Sequence, residues 1–149
     1  MSLQQDIMTA MKIAMKEKNT TALTALRSVK SAILLAQTET GATAELTQEQ
    51  ELKILQKQVK QRKDSAAIYL TQGREDLAEP ELAEAEIISQ FLPEAMTEEE
   101  IAKVVLETIQ KTGAQGMKDM GKVMGIVSKE LAGKADGKTI SNIVKERLT

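Results

Sequence analysis

The apolar residues of this 149-residue chain recur at intervals of three and four from one end to the other. That spacing matches the 3.6-residue turn of an α-helix, and no segment shows the strict alternation typical of a half-buried strand. Glycine, proline and capping residues divide the pattern into seven stretches. The sequence therefore predicts an all-α fold of seven helices.

The first three predicted helices have recognisable ends. Ser2 is placed to cap the first helix, and Asn19 interrupts the pattern before the second, which is expected to end near Gly41. Thr47 and Gln50 lie three residues apart, which is the spacing of a capping box. We expect this pair to open a long third helix.

Gly73 is predicted to stop the third helix, and Pro80 sets the start of the fourth. Proline is favoured in a first helical turn, so we expect the fourth helix to start near Glu79 and to end before Pro93. The side chains predicted to face inward in these four helices are Leu3, Ile7, Met8, Met11 and Met15; Leu23, Leu26, Val29, Ile33 and Leu34; Leu52, Leu55, Val59, Ala66 and Tyr69; and Leu82, Ala85, Ile88 and Leu92.

Three shorter helices are predicted after Pro93. Thr97 and Glu100 repeat the capping-box spacing and open the fifth helix, which Gly113 stops. The sixth helix is expected to end at Gly133, and Asp136 is placed to cap the seventh. Pro93 and the fresh capping signal at Thr97 predict two subdomains, a four-helix unit at 1–92 and a three-helix unit at 97–149.

The composition excludes several classes of chemistry. The chain has no His and no Cys, which rules out Ser-His-Asp and Cys-His catalysis, disulfides and ordinary zinc sites. No cofactor or metal is expected. Tyr69 and Phe91 are the whole aromatic set, so a surface that stacks several single-stranded bases is not expected. The net charge of −2 favours no class of partner by itself.

Apolar runs are only a few residues long, so we expect no membrane-spanning segment. The start of the sequence has no basic segment followed by an apolar stretch. We therefore expect no signal peptide, and the cytoplasm is the predicted compartment.

Two glycine motifs lie before the sixth helix. The run from Gly116 to Lys122 has the glycine and lysine spacing of a phosphate-binding P-loop, but Val123 stands where Ser or Thr should bind magnesium, and no strand is predicted before it. Gly113 and Gly116 have the spacing of a GxxG loop, for which a helix stop and turn is the simpler interpretation. Carboxylates considered for catalysis, and interpreted instead as caps and surface groups, are Glu98, Glu99, Glu100 and Asp119.

The sixth helix carries the most informative surface. At 100° per residue, Lys118, Lys122 and Lys129 fall in one sector, and Gly121 and Gly125 lie beside them. The apolar residues take the opposite side. Interior glycines cost a helix about 1 kcal/mol each relative to alanine, so a surface approaching the bare backbone would explain them. A phosphate backbone or a helix of the N-terminal subdomain could be that surface. The apolar side consists of Met120, Val123, Met124, Val127 and Leu131.

Further cations occur on the third helix and at the start of the seventh. A basic stripe on the third helix is interpreted either as a solvated face or as a second contact with nucleic acid. The stripe consists of Lys53, Lys57, Lys60, Arg62 and Lys63. The residues predicted to contact nucleic acid are Lys118, Lys122, Lys129, Gly121, Gly125, Lys138, Arg62 and Lys63.

Several segments resemble the YqeY family, whose chains are similar to the C-terminal tail of the GatB subunit of the aspartyl/glutamyl-tRNA amidotransferase. The most specific part is the run Lys-Asp-Met-Gly-Lys-Val-Met-Gly at 118–125. The resemblance implies an all-helical protein in two subdomains with a link to tRNA. The segments that carry it are Gln61-Arg62-Lys63-Asp64-Ser65, Gly73–Ala78, Phe91-Leu92-Pro93, Met117–Gly125 and Ala135-Asp136-Gly137-Lys138.

The resemblance implies a family label of carbon–nitrogen ligase with glutamine as amido donor, but it carries over no catalytic residue. The first functional hypothesis is therefore a non-catalytic module that binds tRNA or a tRNA-bearing complex. The second is a protein-interaction module that docks on an amidotransferase or a synthetase. An enzyme acting by itself is the third. The oligomeric state is not predicted.

Overall fold

The structure, a computed structural model, describes residues 2–39 and 45–149. Over those residues it contains seven α-helices, one short 3₁₀ helix and no strand, so the predicted all-α fold is confirmed. The predicted end of the second helix at Gly41 lies outside the described residues. The helices are α1 Leu3–Lys16, α2 Thr20–Glu39, α3 Gln48–Thr71, α4 Glu75–Ser89, α5 Glu98–Thr112, α6 Met120–Glu130 and α7 Gly137–Leu148, and the 3₁₀ helix is Met117–Asp119.

The predicted capping residues are found at the starts of α1, α3 and α5. At α3 the Gln50 backbone N–H donates to the Thr47 hydroxyl at 3.2 Å, and the Thr47 N–H donates to the Gln50 side chain at 2.8 Å. Ser2 opens α1 with the same reciprocal arrangement. At α5 the Thr97 hydroxyl accepts the Glu100 N–H at 3.2 Å and donates to the Glu100 carboxylate at 3.1 Å. These bonds satisfy N–H groups that a helix start otherwise leaves unpaired.

The predicted start of the fourth helix is wrong by four residues. α4 begins at Glu75 rather than near Glu79, and Pro80 lies inside the helix. Proline has no N–H, so the helix lacks the bond that would join position 80 to the Asp76 carbonyl. Glu75 and Asp76 occupy the first turn, where carboxylates interact favourably with the helix dipole. The acidic first turn therefore extends the helix ahead of the proline.

The N-terminal unit comprises Met1–Leu92. Within it α4 packs against α2 and α3, and α1 packs mainly against α2. Because one neighbour covers only a narrow stripe of a helix, α1 buries Ile7 and Ala14, seven residues apart. Four side chains expected to face inward are instead exposed: Met8, Met15, Leu34 and Leu82. The buried core residues are Ile7, Ala14, Ala22, Ala25, Leu26, Val29, Ile33, Leu55, Val59, Ala85 and Ile88.

The C-terminal unit comprises Pro93–Thr149, and in it α5, α6 and α7 all pack against one another. The Met96 N–H donates to the Lys134 carbonyl at 2.9 Å, which ties the segment before α5 to the turn after α6. The separate folding of the two units stays a prediction. The core residues are Ile101, Val105, Val123, Val127, Leu131, Ile140, Ile143, Val144 and Leu148.

Candidate functional site

The turn between α5 and α6 sets the direction of α6. Gly113 ends α5 in the left-handed conformation, with φ of 65°, which side chains other than glycine rarely adopt. The Gln115 N–H then donates to the Asp119 carboxylate at 2.8 Å and fixes the 3₁₀ helix. The Gly113–Gly116 pair is thus a helix stop and turn. The lysine of the P-loop-like run, Lys122, lies on a helix preceded by another helix rather than by a strand.

The two sides of α6 differ as the sequence predicts. Val123, Val127 and the following Leu131 are buried in the core of the C-terminal unit. Lys122 and Lys129 are exposed, and their separation of seven residues places them about 20° apart around the helix axis. We use the term α6 lysine face for the exposed residues Lys118, Gly121, Lys122, Gly125 and Lys129.

Lys118 differs from the other two lysines because it belongs to the 3₁₀ helix Met117–Asp119 rather than to α6. A 3₁₀ helix turns about 120° per residue instead of 100°, so Lys118 does not keep the angular position that a continuous α-helix would give it. The side chain is nevertheless exposed. The three ammonium groups form no ion pair among the residues that the structure describes.

The two glycines of the face have no packing role within their own unit. Among the described residues of the C-terminal unit, no neighbouring group lies within 4 Å of a Cβ built on Gly121 or Gly125. Both have ordinary right-handed helical backbone, since neither is among the residues with positive φ. Neither φ nor packing in this unit therefore requires glycine. The bare backbone leaves room for a surface from outside the unit to come close.

An apolar side chain borders the same face, and sequence reasoning missed it. Ile126, four residues after Lys122, is 42% exposed, and Met117 is 45% exposed. An isoleucine in a helix is normally expected to point inward, so its place next to Lys122 on a helical wheel was the available signal. The face thus combines unpaired cations and bare backbone with one large apolar group, Ile126, beside Lys122.

Lys138 is exposed in the first turn of α7, in the same unit as the α6 lysine face. A cation is unfavourable there because the helix dipole is positive at the N-terminus. Asp136 occupies the predicted cap position, but its side chain makes no capping hydrogen bond. Lys138 therefore contributes positive charge to the surface of the unit without stabilising the helix on which it lies.

Arg62 and Lys63 lie on α3, in the N-terminal unit, and differ from each other. Lys63 is exposed, but the side chain of Arg62 is only 11% exposed. The Arg62 Nη1 donates to the Gln58 carbonyl at 3.1 Å and to the Gln58 side-chain oxygen at 2.8 Å. Its Nε is buried without a hydrogen-bond partner and lies 3.8 Å from the Glu84 carboxylate. Much of the Arg62 guanidinium is thus engaged within its own unit.

The Glu84 carboxyl is the partner of Arg62 on α4. Its side chain is 13% exposed, and this burial raises the pKa of Glu84 because a carboxylate loses hydration there. The positive charge of Arg62 opposes the rise, and the negative charge of Glu81 adds to it. The pair is a structural contact between α3 and α4.

Two other lysines of the α3 stripe form ion pairs of the kind typical of a solvated helix face. Lys53 lies 3.1 Å from Glu49, and Lys60 lies 2.8 Å from Asp64, both at four-residue spacing. Such exposed pairs stabilise a helix by only a few tenths of a kcal/mol. They favour the interpretation of this stripe as a solvated face.

The carboxylates considered for catalysis have structural positions. Glu98, Glu99 and Glu100 occupy the first turn of α5, and Asp119 accepts the Gln115 N–H. Within residues 2–39 and 45–149, no group of three or more acidic side chains could hold a metal ion.

These observations define an all-helical protein of two units, with an exposed face of lysines and glycines on the C-terminal one. The chain belongs to the family described as Yqey-like protein, which matches residues 4–148. The resemblance inferred from the sequence is therefore confirmed.

Three relatives carry names that bear on function. Two are "Altered inheritance of mitochondria protein 41, mitochondrial": the Pyrenophora tritici-repentis protein is 31% identical over 149 residues, covering 97% of this chain and 77% of the relative. The Clavispora lusitaniae protein is 42% identical over 92 residues, covering 60% of this chain and 52% of the relative, so the match spans about half of that protein. The third, the E subunit of the glutamyl-tRNA(Gln) amidotransferase of Thermococcus gammatolerans, is 32% identical over 73 residues, covering 46% of this chain and 12% of the relative.

Two observations bear on the compartment. Among the described residues, no helix has the length and apolarity needed to cross a bilayer. The two fungal relatives are named as mitochondrial proteins. The predicted cytoplasmic location stays a prediction.

Proposed function

We propose that this chain is a non-catalytic module that binds tRNA or a tRNA-bearing complex, and that the α6 lysine face contacts the phosphate backbone. The proposal rests on one observation: lysines without ion pairs among the described residues lie beside two helical glycines. Nothing within the C-terminal unit requires glycine at either position. Lysines neutralise phosphates, and bare helix backbone lets a bulky polyanion approach closely.

The kind of recognition follows from the composition. With Tyr69 and Phe91 as the only aromatic residues, base stacking contributes little, and contacts with phosphates and helix shape remain. The name of the Thermococcus relative contains tRNA(Gln) amidotransferase, and the match to it covers 46% of this chain. This likeness supports tRNA as the nucleic acid. It carries no catalytic residue to this chain.

A protein partner is the second candidate, and the exposed Ile126 and Met117 favour it. Large apolar groups beside a charged rim are common at protein interfaces. The chain would then dock through the same face on an amidotransferase or a synthetase. The acidic run from Glu75 to Ala102, which has ten acids and no base, would supply a second contact.

Replacing Lys118, Lys122 and Lys129 together by Gln tests the first candidate against the second. Glutamine keeps a high helix propensity, so circular dichroism should stay unchanged. The affinity for tRNA, measured by fluorescence anisotropy at one fixed salt concentration, should fall at least about tenfold because three phosphate contacts are lost.

A matched control removes the same charge elsewhere in the C-terminal unit. Lys103, Lys111 and Lys145 are exposed and lie on α5 and α7. Their triple Gln variant also lowers the net charge by three, and it should keep most of the affinity. Equal losses of tRNA affinity in the two variants would indicate nonspecific electrostatic attraction. An α6 variant that keeps the full tRNA affinity would contradict the first candidate and favour the protein-docking hypothesis.

A further inference from the structure

A polar groove lies between α2 and α3 in the N-terminal unit. None of the residues of the α6 lysine face lines it. The groove is shallow and largely open to solvent, with a volume of about 690 Å³. Among the described residues, no carboxylate lines it. The polar lining consists of Thr24, Arg27, Ser28, Ser31, Gln58, Gln61 and Arg62.

The lining groups on α2 are available to a ligand. Arg27 forms no ion pair, and the hydroxyls of Ser28 and Ser31 form no hydrogen bond, among the residues that the structure describes. Helical serines commonly satisfy their hydroxyls on a carbonyl one turn earlier, as Thr24 does on the Thr20 carbonyl at 2.9 Å. Ser28 and Ser31, one and four residues after Arg27, therefore keep their donors and acceptors for another partner.

On the α3 side of the groove, the Arg62 guanidinium is held in place by its neighbours. Gln58 accepts from Arg62 Nη1 at 2.8 Å, and Glu84 lies 3.8 Å from Arg62 Nε on the α4 side. These contacts restrict the guanidinium at the edge of the groove, so less rotamer entropy is lost when a ligand binds. Arg27 on α2, which forms no ion pair among the described residues, and the restrained Arg62 on α3 thus line a common space.

The chemistry of the lining selects the class of ligand. Guanidinium groups match the oxygens of phosphate and carboxylate, and hydroxyl groups at helical spacing add further donors. The groove is larger than one phosphate, and Ala32 and Leu35 line part of it with apolar surface. A ligand with both a phosphate and an uncharged ring face fits this combination.

We propose that the α2–α3 groove binds a nucleotide unit, with Arg27, Arg62 and the Ser28 and Ser31 hydroxyls on its phosphate. The site goes beyond the proposed function because it belongs to the N-terminal unit and does not require tRNA as the partner. The nucleotide is either free or part of an RNA chain, and both present the same phosphate and ring chemistry.

The experiment is a titration of the full-length ¹⁵N-labelled chain with pyrophosphate, AMP, a short single-stranded RNA oligonucleotide and citrate in separate arms. Amide signals of Ser28, Ser31 and Gln61 should shift with the phosphate compounds at millimolar concentration or below. AMP binding as tightly as the oligonucleotide identifies a free nucleotide, and tighter oligonucleotide binding identifies RNA. Absence of shifts in all arms, or citrate binding as tightly as AMP, would overturn the proposal.

Two variants on α2, one inside the groove and one outside it, provide the control. Arg27→Gln should weaken AMP binding at least about tenfold, because a charge-assisted bond is lost. Lys30→Gln removes the same charge three residues away, where the side chain lines a separate groove beside α1, and should leave binding unchanged. Equal affinities in the two variants would overturn the proposal. Arg62→Lys keeps the charge beside Glu84 and should also weaken binding, through loss of the planar fork.

Discussion

Replacing Gly125 by Ala should stabilise the C-terminal unit and at the same time weaken tRNA binding. Gly125 lies in the middle of α6, has right-handed helical backbone, and its new Cβ would meet nothing within 4 Å in its own unit. No steric cost therefore offsets the gain in helix propensity. A stabilising substitution that impairs binding is the behaviour expected of a residue kept for function.

The magnitude follows from helix propensity. Glycine is about 0.8–1.0 kcal/mol less favourable than alanine in a helix interior. A gain of about 1 kcal/mol slows hydrogen exchange through unfolding of the unit about fivefold, and the amides of the buried Val123 and Val127 report it. Gly121 is the second residue of α6, so its replacement by Ala should give a smaller gain.

The assay combines native-state hydrogen exchange with tRNA anisotropy on the same Gly125→Ala sample. Asn142→Ala is the control, because Asn142 is exposed on α7 and alanine raises helix propensity there by about half a kcal/mol. The control should bind tRNA like the parent. Faster exchange in Gly125→Ala would show that the glycine has a packing role, and unchanged tRNA affinity would refute close approach to the helix backbone.

Other predictions concern the turn at Gly113, the two units and the partly buried carboxyl of Glu84. Gly113→Ala should cost about 1–2 kcal/mol in urea unfolding, opposite in sign to Gly125→Ala, because φ of 65° strains an L side chain; a stabilised variant would contradict this. Limited proteolysis should cut between Leu92 and Thr97 and leave two resistant fragments, and the absence of any stable fragment would count against separate folding. The raised pKa of Glu84 stabilises the fold below the ordinary glutamate pKa, and this contribution is lost as pH rises through the raised value. Glu84→Gln should therefore lessen the fall in unfolding free energy from acid to neutral pH, and an unchanged pH profile would show that Glu84 is not responsible.

Local signals in the sequence predict helix ends well because the determining groups lie within one turn. Thr47 and Gln50 form the capping box that their spacing predicts, and Gly113 ends α5 in the left-handed conformation. The opposite sides of α6 also follow from periodicity, since Val123 and Val127 are buried and Lys122 is exposed. These features depend on three or four neighbouring residues.

Features set by distant residues could not be predicted. The exposure of Met8 and Leu34 depends on how much of α1 and α2 the other helices cover, which periodicity does not tell. The contact of Arg62 with Glu84 joins residues 22 positions apart on different helices. The α2–α3 groove likewise requires the register between two helices. The predicted start of α4 is four residues late because the prediction relied on the preference of Pro80 for a first helical turn. The acidic residues before the proline already form the first turn.

The salt dependence of tRNA binding tests most directly whether the α6 lysine face contacts phosphates. Each phosphate contact with RNA contributes about 0.7–0.9 to the slope of log affinity against log salt concentration. The triple Gln variant at Lys118, Lys122 and Lys129 should therefore show a slope flatter than the parent by about 2–3. A parent chain that binds no tRNA, or two parallel slopes, would contradict the account.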